Sequence, residues 1–360
     1  MEVLLLPGDG IGPEITAVTR NVLEALDRSF SLGLQFSRED VGFASLEKHG
    51  ATITPELIER ARKADLTILG PVDTAHYPPA EQGGINPSAA LRINLDLYAN
   101  VRPSKVFEGL PALARNMDLV IVRENTEGFY ADRTMYAGTG EVMPTPDLAL
   151  AMRKVTRQGS YRVSAFAARL AAKRRGHLTI VHKANVLKLS DGLFLSEAEK
   201  AAAEQGGLTV REEHVDAMAS LLVRTPDAFD VIVTTNMFGD ILSNEAAELA
   251  GGLGLSGSLN VGDKNAIAQA SHGSAPDIAG KNIANPVSLL LSTVLLLDWK
   301  GAETGRSDLQ QAANRLDKAI AEMLKNPDTR TSDLAGALSC SDFGSILVEK
   351  LSDVCRDSID

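Results

Sequence analysis

Short apolar runs alternate with longer amphipathic stretches along most of the chain. Val3-Leu-Leu-Leu6, Leu66-Thr-Ile-Leu69, Leu119-Val-Ile-Val122, Leu178-Thr-Ile-Val181 and Phe229-Asp-Val-Ile-Val233 are too short for helices and nearly continuous, so they predict buried strands. Helices are predicted between them. Pro13 follows the turn Gly8-Asp-Gly-Ile-Gly12 and suits a first helical position. Pro55 to Ala64 is amphipathic, and Ser160 to Arg175 ends in a basic turn that complements the helix dipole. The apolar stretch Pro286 to Asp298 ends at a charge, which predicts a buried helix too short to span a bilayer, and helices dominate beyond it. Tyr136-Ala-Gly-Thr-Gly-Glu141 predicts a hairpin turn inside an exposed excursion over 131–146. Alternating strands and helices give an α/β class. The chain carries no repeat, low-complexity segment or flexible linker.

Length and charge narrow this picture. The 360 residues exceed the size at which one core stops growing, about 250–300, so two lobes are expected. A net charge of −11 with Lys and Arg scattered among acids excludes a nucleic-acid stripe, but local clusters of cations can still bind an anion. Cys340 and Cys355 build neither a disulfide framework nor a zinc site. Met1 to Pro7 has no basic segment and too short an apolar run for a signal peptide, so a soluble cytoplasmic protein is expected.

The candidate chemistry lies at predicted strand ends, and each position also has an ordinary structural reading. After the strand Val231-Ile-Val-Thr-Thr, Asp240 and Asn244 are spaced to share one helix face. Oxygen ligands there suit Mg²⁺ or Mn²⁺, and the alternative for Asp240 is a helix cap in the first turn. His214-Val-Asp216 opens another helix with a carboxylate and carries the same alternative. Arg92, Arg102 and Arg123 fall near strand ends, where guanidinium groups grip carboxylates through paired hydrogen bonds; the alternative is surface ion pairs. Lys183 directly follows an apolar strand, and a partly buried lysine can move protons or merely snorkel. The loop His272-Gly-Ser-Ala-Pro-Asp277 is long, polar and suited to a cofactor; Asp277 would accept a ribose hydroxyl of NAD and repel the extra phosphate of NADP. Gly8-x-Gly10-x-Gly12 is a weak dinucleotide signal, because Pro13 removes a phosphate-binding N–H.

These segments, in this order, resemble the β-decarboxylating dehydrogenases, the family of isocitrate, homoisocitrate, isopropylmalate and tartrate dehydrogenases. His182-Lys-Ala-Asn-Val186, Gly239-Asp-Ile-Leu-Ser243 and His272-Gly-Ser-Ala-Pro-Asp-Ile-Ala-Gly-Lys281 carry the resemblance, which runs from Leu4 to about Gly301. It implies a three-layer α/β sandwich with a mixed sheet and two lobes, distinct from the Rossmann fold. Residues 1–98 with 252–360 would form a discontinuous cofactor domain, and 99–251 a substrate and dimerisation domain. It also implies an NAD-dependent, Mg²⁺- or Mn²⁺-dependent oxidative decarboxylase acting as a homodimer with shared sites. Arg92, Arg102 and Arg123 would bind substrate carboxylates. Tyr130 would protonate the enol left after CO₂ departs. Lys183, from the partner subunit, would take the hydroxyl proton. Asp216 (also from the partner), Asp240 and Asn244 would form the metal site. His272, Gly273, Ser274, Ala275, Pro276, Asp277, Ile278 and Asn285 would carry the cofactor, with Glu124 and Asn185 near the nicotinamide.

Two departures from the family pattern bear on this reading. Asn244 stands where most members have Asp, which removes a negative charge and is expected to weaken metal affinity. Asn86 and Ser88 precede Arg92 where isopropylmalate enzymes place apolar residues, and polar groups there favour a substrate with a third carboxylate. Isocitrate or homoisocitrate is therefore the leading substrate; isopropylmalate and tartrate-like acids are the alternatives, and a non-catalytic regulatory subunit is the remote one.

Overall fold

A computed structural model describes residues 1–130, Met135 and 140–352. A ten-stranded sheet runs through it in the order β2-β1-β3-β12-β11-β4-β5-β10-β8-β9. Its strands are β1 (Glu2–Leu6), β2 (Gln35–Arg38), β3 (Leu66–Leu69), β4 (Ala99–Lys105), β5 (Asp118–Glu124), β8 (His177–His182), β9 (Thr209–His214), β10 (Val231–Thr234), β11 (Leu259–Val261) and β12 (Ala266–Gln269). A separate ribbon pairs β6 (Glu141–Thr145) with β7 (Leu148–Ala151). Its residues are all exposed, Val142, Met143, Leu148 and Leu150 among them. The turn expected over 136–141 and the Ala131 side of the excursion lie largely outside the described residues, as does Cys355.

The helices are α1 (Gly12–Phe30), α2 (Phe43–His49), α3 (Pro55–Lys63), α4 (Pro87–Asn94), α5 (Arg157–Lys173), α6 (Ser190–Gln205), α7 (Val215–Arg224), α8 (Asn236–Ala250), α9 (Val287–Thr304), α10 (Ser307–Lys325) and α11 (Cys340–Ser352). The α9 helix does not stop at Asp298 as expected; Trp299 to Thr304 continue it, and Gly305 ends it in a left-handed conformation. A charge on the solvent side of a helix does not break it, whereas an αL glycine does.

The period-2 alternation of the strands explains the layers. Val3, Leu5, Val120, Val122, Val231 and Val233 face one core, with α1, α5, α6, α9, α10 and α11. Leu4 and Leu6 face α3 and α4 on the opposite side, while Leu119, Ile121 and Ile232 face α7 and α8 there. The result is a three-layer α/β sandwich.

The sheet is mixed. β2, β1, β3 and β12 are mutually parallel, and so are β5, β10, β8 and β9. The two blocks join through antiparallel pairs of β12 with β11, β11 with β4, and β4 with β5. Antiparallel joins are foreign to an all-parallel dinucleotide fold. The Gly8–Gly12 turn instead packs on the 272–277 loop. Ile11 donates to the Ser274 carbonyl at 2.8 Å, and a Cβ on Gly10 would lie 1.9 Å from that oxygen. The turn thus buttresses the loop by close backbone approach.

Candidate active site

Alternation sends Arg102 and Arg123 of the central strands to the α7/α8 face. Val101 and Val122 face the other core, so Arg102 and Arg123, their neighbours, point toward α8. Both guanidinium groups reach the same Asp240 carboxylate oxygen, Arg102 at 3.1 Å and Arg123 in a closer contact. Arg102 also donates to Ser243 Oγ at 2.7 Å and to Asn244 Oδ1 at 3.5 Å, and Arg123 donates to Asn236 Oδ1 at 2.8 Å. The Tyr130 ring lies 5.8 Å from the Arg123 guanidinium carbon.

Asp240 sits one turn inside α8, which begins at Asn236, so the first-turn cap alternative does not hold. Asn-Met-Phe-Gly winds into the helix because Gly239 lets it lie against Arg123; a Cβ there would stand 2.6 Å from the Arg123 Cβ. Close approach of helix and strand brings Asp240 within reach of both arginines.

The electrostatics are unbalanced. Arg102 and Arg123 are only 9% and 4% exposed, and they share one carboxylate. Burial, then the neighbouring Arg123, pushes Arg102 down to about 10, and burial also lowers Arg123. A guanidinium keeps its charge in proteins. Two buried cations against one anion leave a site that gains from a further anion.

Arg92, on α4, lines a small pocket together with Tyr130, Asn125 and Thr126. Its Nη2 lies 3.5 Å from Gln269 Oε1, which also accepts from Ser88 Oγ at 2.9 Å. Asn86 is the N-cap of α4, its Oδ1 accepting from Ala89 N at 3.0 Å. The Asn86 oxygen and the Ser88 proton are therefore engaged within the protein. The Asn86 Nδ2 group and the Ser88 lone pairs are what the loop can offer a ligand.

Lys183 and Asp216 pair with each other instead of joining the arginine cluster within one chain. Lys183 extends from the end of β8, and Asp216 lies in the first turn of α7 with its side chain 68% exposed. The lysine hydrogen bond is the main cause holding the Asp216 carboxyl below its ordinary range. The backbone N–H of Lys183 donates to Asp191 at 2.6 Å; Asp191 is fully buried and paired with Arg153, which donates to Thr235 Oγ1 at 2.8 Å just before α8. His182 is buried beside the His214 ring, its Nδ1 accepting from Ala184 N at 3.0 Å. Burial lowers its pKa, so it is a neutral structural residue.

The predicted cofactor residues divide. Asp277 is exposed, as is Asn185. Burial lowers the His272 pKa; its Nδ1 lies 2.9 Å from the Gly273 carbonyl, and its buried Nε2 has no partner among the described residues. A neutral ring with Nδ1–H engaged leaves Nε2 as an acceptor for a ligand donor. Asn285 holds Asp333 at 2.9 Å, a carboxylate that sequence reasoning missed because it lies far away in the chain. Glu124 accepts from Thr126 N, Thr126 Oγ1 and Glu127 N, each at 2.8 Å, and is 4% exposed. In this chain it staples the 125–127 turn, with burial raising its pKa.

Asp240 Oδ and Asn244 Oδ1 are hard oxygen donors on one helix face, which fits Mg²⁺ or Mn²⁺. No group of three or more His, Cys, Asp or Glu residues able to hold a metal occurs among the described residues of a single chain. Such an ion would need oxygens from a second chain or from substrate.

This arrangement has known relatives. The family model for isocitrate/isopropylmalate dehydrogenase matches residues 2–347. The chain belongs to the isocitrate/isopropylmalate dehydrogenase family. It is 40% identical over 354 residues to a 3-isopropylmalate dehydrogenase of Methanothermobacter thermautotrophicus, covering 98% of this chain and 99% of that one. It is equally 40% identical over 352 residues to an isocitrate/homoisocitrate dehydrogenase of Thermus thermophilus, covering 97% and 98%. A crystal structure of isocitrate dehydrogenase from Methylococcus capsulatus superposes with a TM-score of 0.86 at 36% identity, covering 98% of this chain and 99% of that one. The fold is that of the family, as the motifs implied, and the protein is a dehydrogenase. No helix among the described residues is long and apolar enough to cross a membrane.

Proposed function

We propose that the protein oxidatively decarboxylates a 2-hydroxy acid bearing a 3-carboxylate, isocitrate or homoisocitrate, with NAD as oxidant and Mg²⁺ or Mn²⁺ as metal. The observation that carries this is the buried convergence of Arg102 and Arg123 on a single Asp240, with the Tyr130 ring beside Arg123 and also lining the small pocket of Arg92. Surplus buried positive charge supports binding of a polycarboxylate, because guanidinium groups stay charged and grip carboxylates in a fixed geometry. Arg92, Arg102 and Arg123 orient the acid. The partner's Lys183 takes the hydroxyl proton as hydride leaves, and Tyr130 returns a proton to the enol carbon after CO₂ departs. Asp240 and Asn244, with the partner's Asp216, would hold the metal, which supplies Lewis acidity to the hydroxyl and to the charge left by decarboxylation. The backbone from Gly273 to Ile278, with His272 and Asn285, would hold NAD, which accepts the hydride. Glu124 and Asn185 complete the nicotinamide side, Glu124 by shaping the turn beside it.

The ion pair of half-buried Lys183 with exposed Asp216, apart from the arginine cluster of its own chain, supports a homodimer with shared sites. The lobe division at 1–98 with 252–360 and at 99–251 is supported by strand order: β4, β5, β10, β8 and β9 are neighbours, and among the described residues only β11 and β4 pair across the boundary.

A second substrate reading has its own support. Ser88 gives its proton to Gln269 and so does not donate to a third carboxylate, and the Methanothermobacter relative acts on 3-isopropylmalate. Asn86 Nδ2 is the group that favours the tricarboxylates. Comparison of kcat/KM for isocitrate, homoisocitrate and 3-isopropylmalate decides: the highest value on a tricarboxylate is expected, and the highest value on 3-isopropylmalate overturns the substrate assignment while leaving the reaction class.

A further inference from the structure

A chain of buried amides links two of the three arginines. Arg102 Nε donates to Asn100 Oδ1 at 2.5 Å, and Asn100 Nδ2 donates to Asn260 Oδ1 at 3.1 Å. Asn260 Nδ2 in turn donates to Gln269 Oε1 at 3.3 Å, the oxygen that receives Ser88 and Arg92. Asn100, Asn260 and Gln269 are 0%, 2% and 9% exposed. Asn125 donates to the same Asn260 oxygen at 3.1 Å and to Leu97 O at 2.8 Å.

The direction of this chain is forced. Arginine only donates, so Asn100 must turn its oxygen to Arg102 and its NH₂ to Asn260. Asn260, receiving Asn100 and Asn125 on its oxygen, must turn its NH₂ to Gln269. Gln269 is then left with its oxygen toward Arg92 and Ser88. An amide turned the other way would set donor against donor at a buried contact. The path also crosses a seam: Asn100 on β4 and Asn260 on β11 are register partners in the only strand pairing, among the described residues, between strands from 99–234 and those flanking them.

We propose that Gln269, oriented through Asn260 and Asn100, is a positioning residue that sets Arg92 against Arg102 and thereby tunes affinity for the hydroxy acid. This rests on the reading that Arg92 and Arg102 hold substrate. Gln269 does not touch the reacting atoms; it acts by fixing where one carboxylate ligand stands relative to the other. It also accounts for the engaged state of Ser88.

The test is steady-state kinetics of the full-length enzyme with Mn²⁺, NAD and whichever of isocitrate, homoisocitrate or 3-isopropylmalate the unsubstituted protein prefers. Gln269→Leu removes the acceptor and is expected to raise KM for the acid about tenfold, with kcat and the NAD KM changing less than about threefold. Gln269→Glu keeps an oxygen for Ser88, Arg92 and Asn260 and is expected to hold the acid KM within about threefold. Asn260→Asp replaces the donor facing Gln269 by an acceptor, so Gln269 must turn its NH₂ toward Arg92; it is expected to match Gln269→Leu and serves if that variant does not fold. An unchanged acid KM in Gln269→Leu or Asn260→Asp overturns the proposal. So does equal weakening of acid and NAD, or a Gln269→Glu variant as impaired as Gln269→Leu. Arg92→Ala run in parallel separates the two levels. A normal acid KM there sinks the substrate role of Arg92, whereas a raised KM there beside a normal one in Gln269→Leu sinks the positioning role alone.

Discussion

At the scale of single residues, charge balance around Asp240 is the controlling fact. Asn244 lies 3.5 Å from Arg102 and is an amide where a carboxylate would neutralise a second guanidinium. Asn244→Asp is expected to raise Mn²⁺ affinity about tenfold, since each added carboxylate ligand strengthens a hard-cation site. Isothermal titration of metal into the protein without substrate measures this, and unchanged affinity would place Asn244 outside the metal site. Cys340 is buried, and burial pushes its thiol up to about 12. In a Cys355→Ser background the native protein should therefore resist a thiol reagent at mildly alkaline pH and react once denatured; rapid reaction in the folded state would contradict the packing of α11.

Legibility at this scale followed chain proximity. Arg123 next to the end of β5 and Asp240 and Asn244 at helical spacing were legible by type and interval; Arg102 stands in the middle of β4 rather than near a strand end, and Arg92 lies on α4. Gln269, Arg153 and Asp333 carry no local signal. Their roles arise from contacts with Arg92, Asp191 and Asn285, which lie far off in sequence. Asn86 and Ser88 were visible as polar residues, but their engagement as a cap and as a donor to Gln269 depends on where α4 begins and on β12 beside it.

At the scale of elements, the buried pair of Arg153 and Asp191 ties four segments together: the stretch between β7 and α5 that bears Arg153, the strand-end turn bearing Lys183, the start of α6, and Thr235 before α8. Removing one partner leaves a buried charge alone, so Asp191→Asn is expected to destabilise the fold by about 3–5 kcal/mol. Chemical denaturation measures this, and a loss below about 1 kcal/mol would show that the pair is not a structural tie. The short strands were legible because their apolar runs face two cores at once. Helix ends were less so: α8 starts four residues before Asp240 because Gly239 permits close packing on Arg123, a tertiary cause with no local sign.

At the scale of the whole molecule, each active site of the proposed dimer is divided between two chains. Arg102, Arg123 and Tyr130 cluster in one chain, while Lys183 and Asp216 stand apart at its surface. Val142, Met143, Leu148 and Leu150 of the β6–β7 ribbon, with Val186, Leu189 and Ile241, are exposed apolar residues that the proposed dimer would cover. Tyr130→Phe and Lys183→Met should each be nearly inactive as homodimers. Co-expressed, they form mixed dimers in which one site lacks both groups and the other lacks neither, so random pairing should restore about a quarter of normal activity. Activity no greater than that of the separate variants would mean that Lys183 and Tyr130 serve the same site from one chain.

The most direct test of oxidative decarboxylation is product stoichiometry. The purified protein, with Mn²⁺ and NAD, is supplied in turn with isocitrate, homoisocitrate and 3-isopropylmalate, and NADH and CO₂ are both measured. At least one of these acids is expected to yield NADH and CO₂ in equal amounts, with turnover lost in Lys183→Met. NADH without CO₂, or turnover that survives in Lys183→Met, would contradict the proposed reaction.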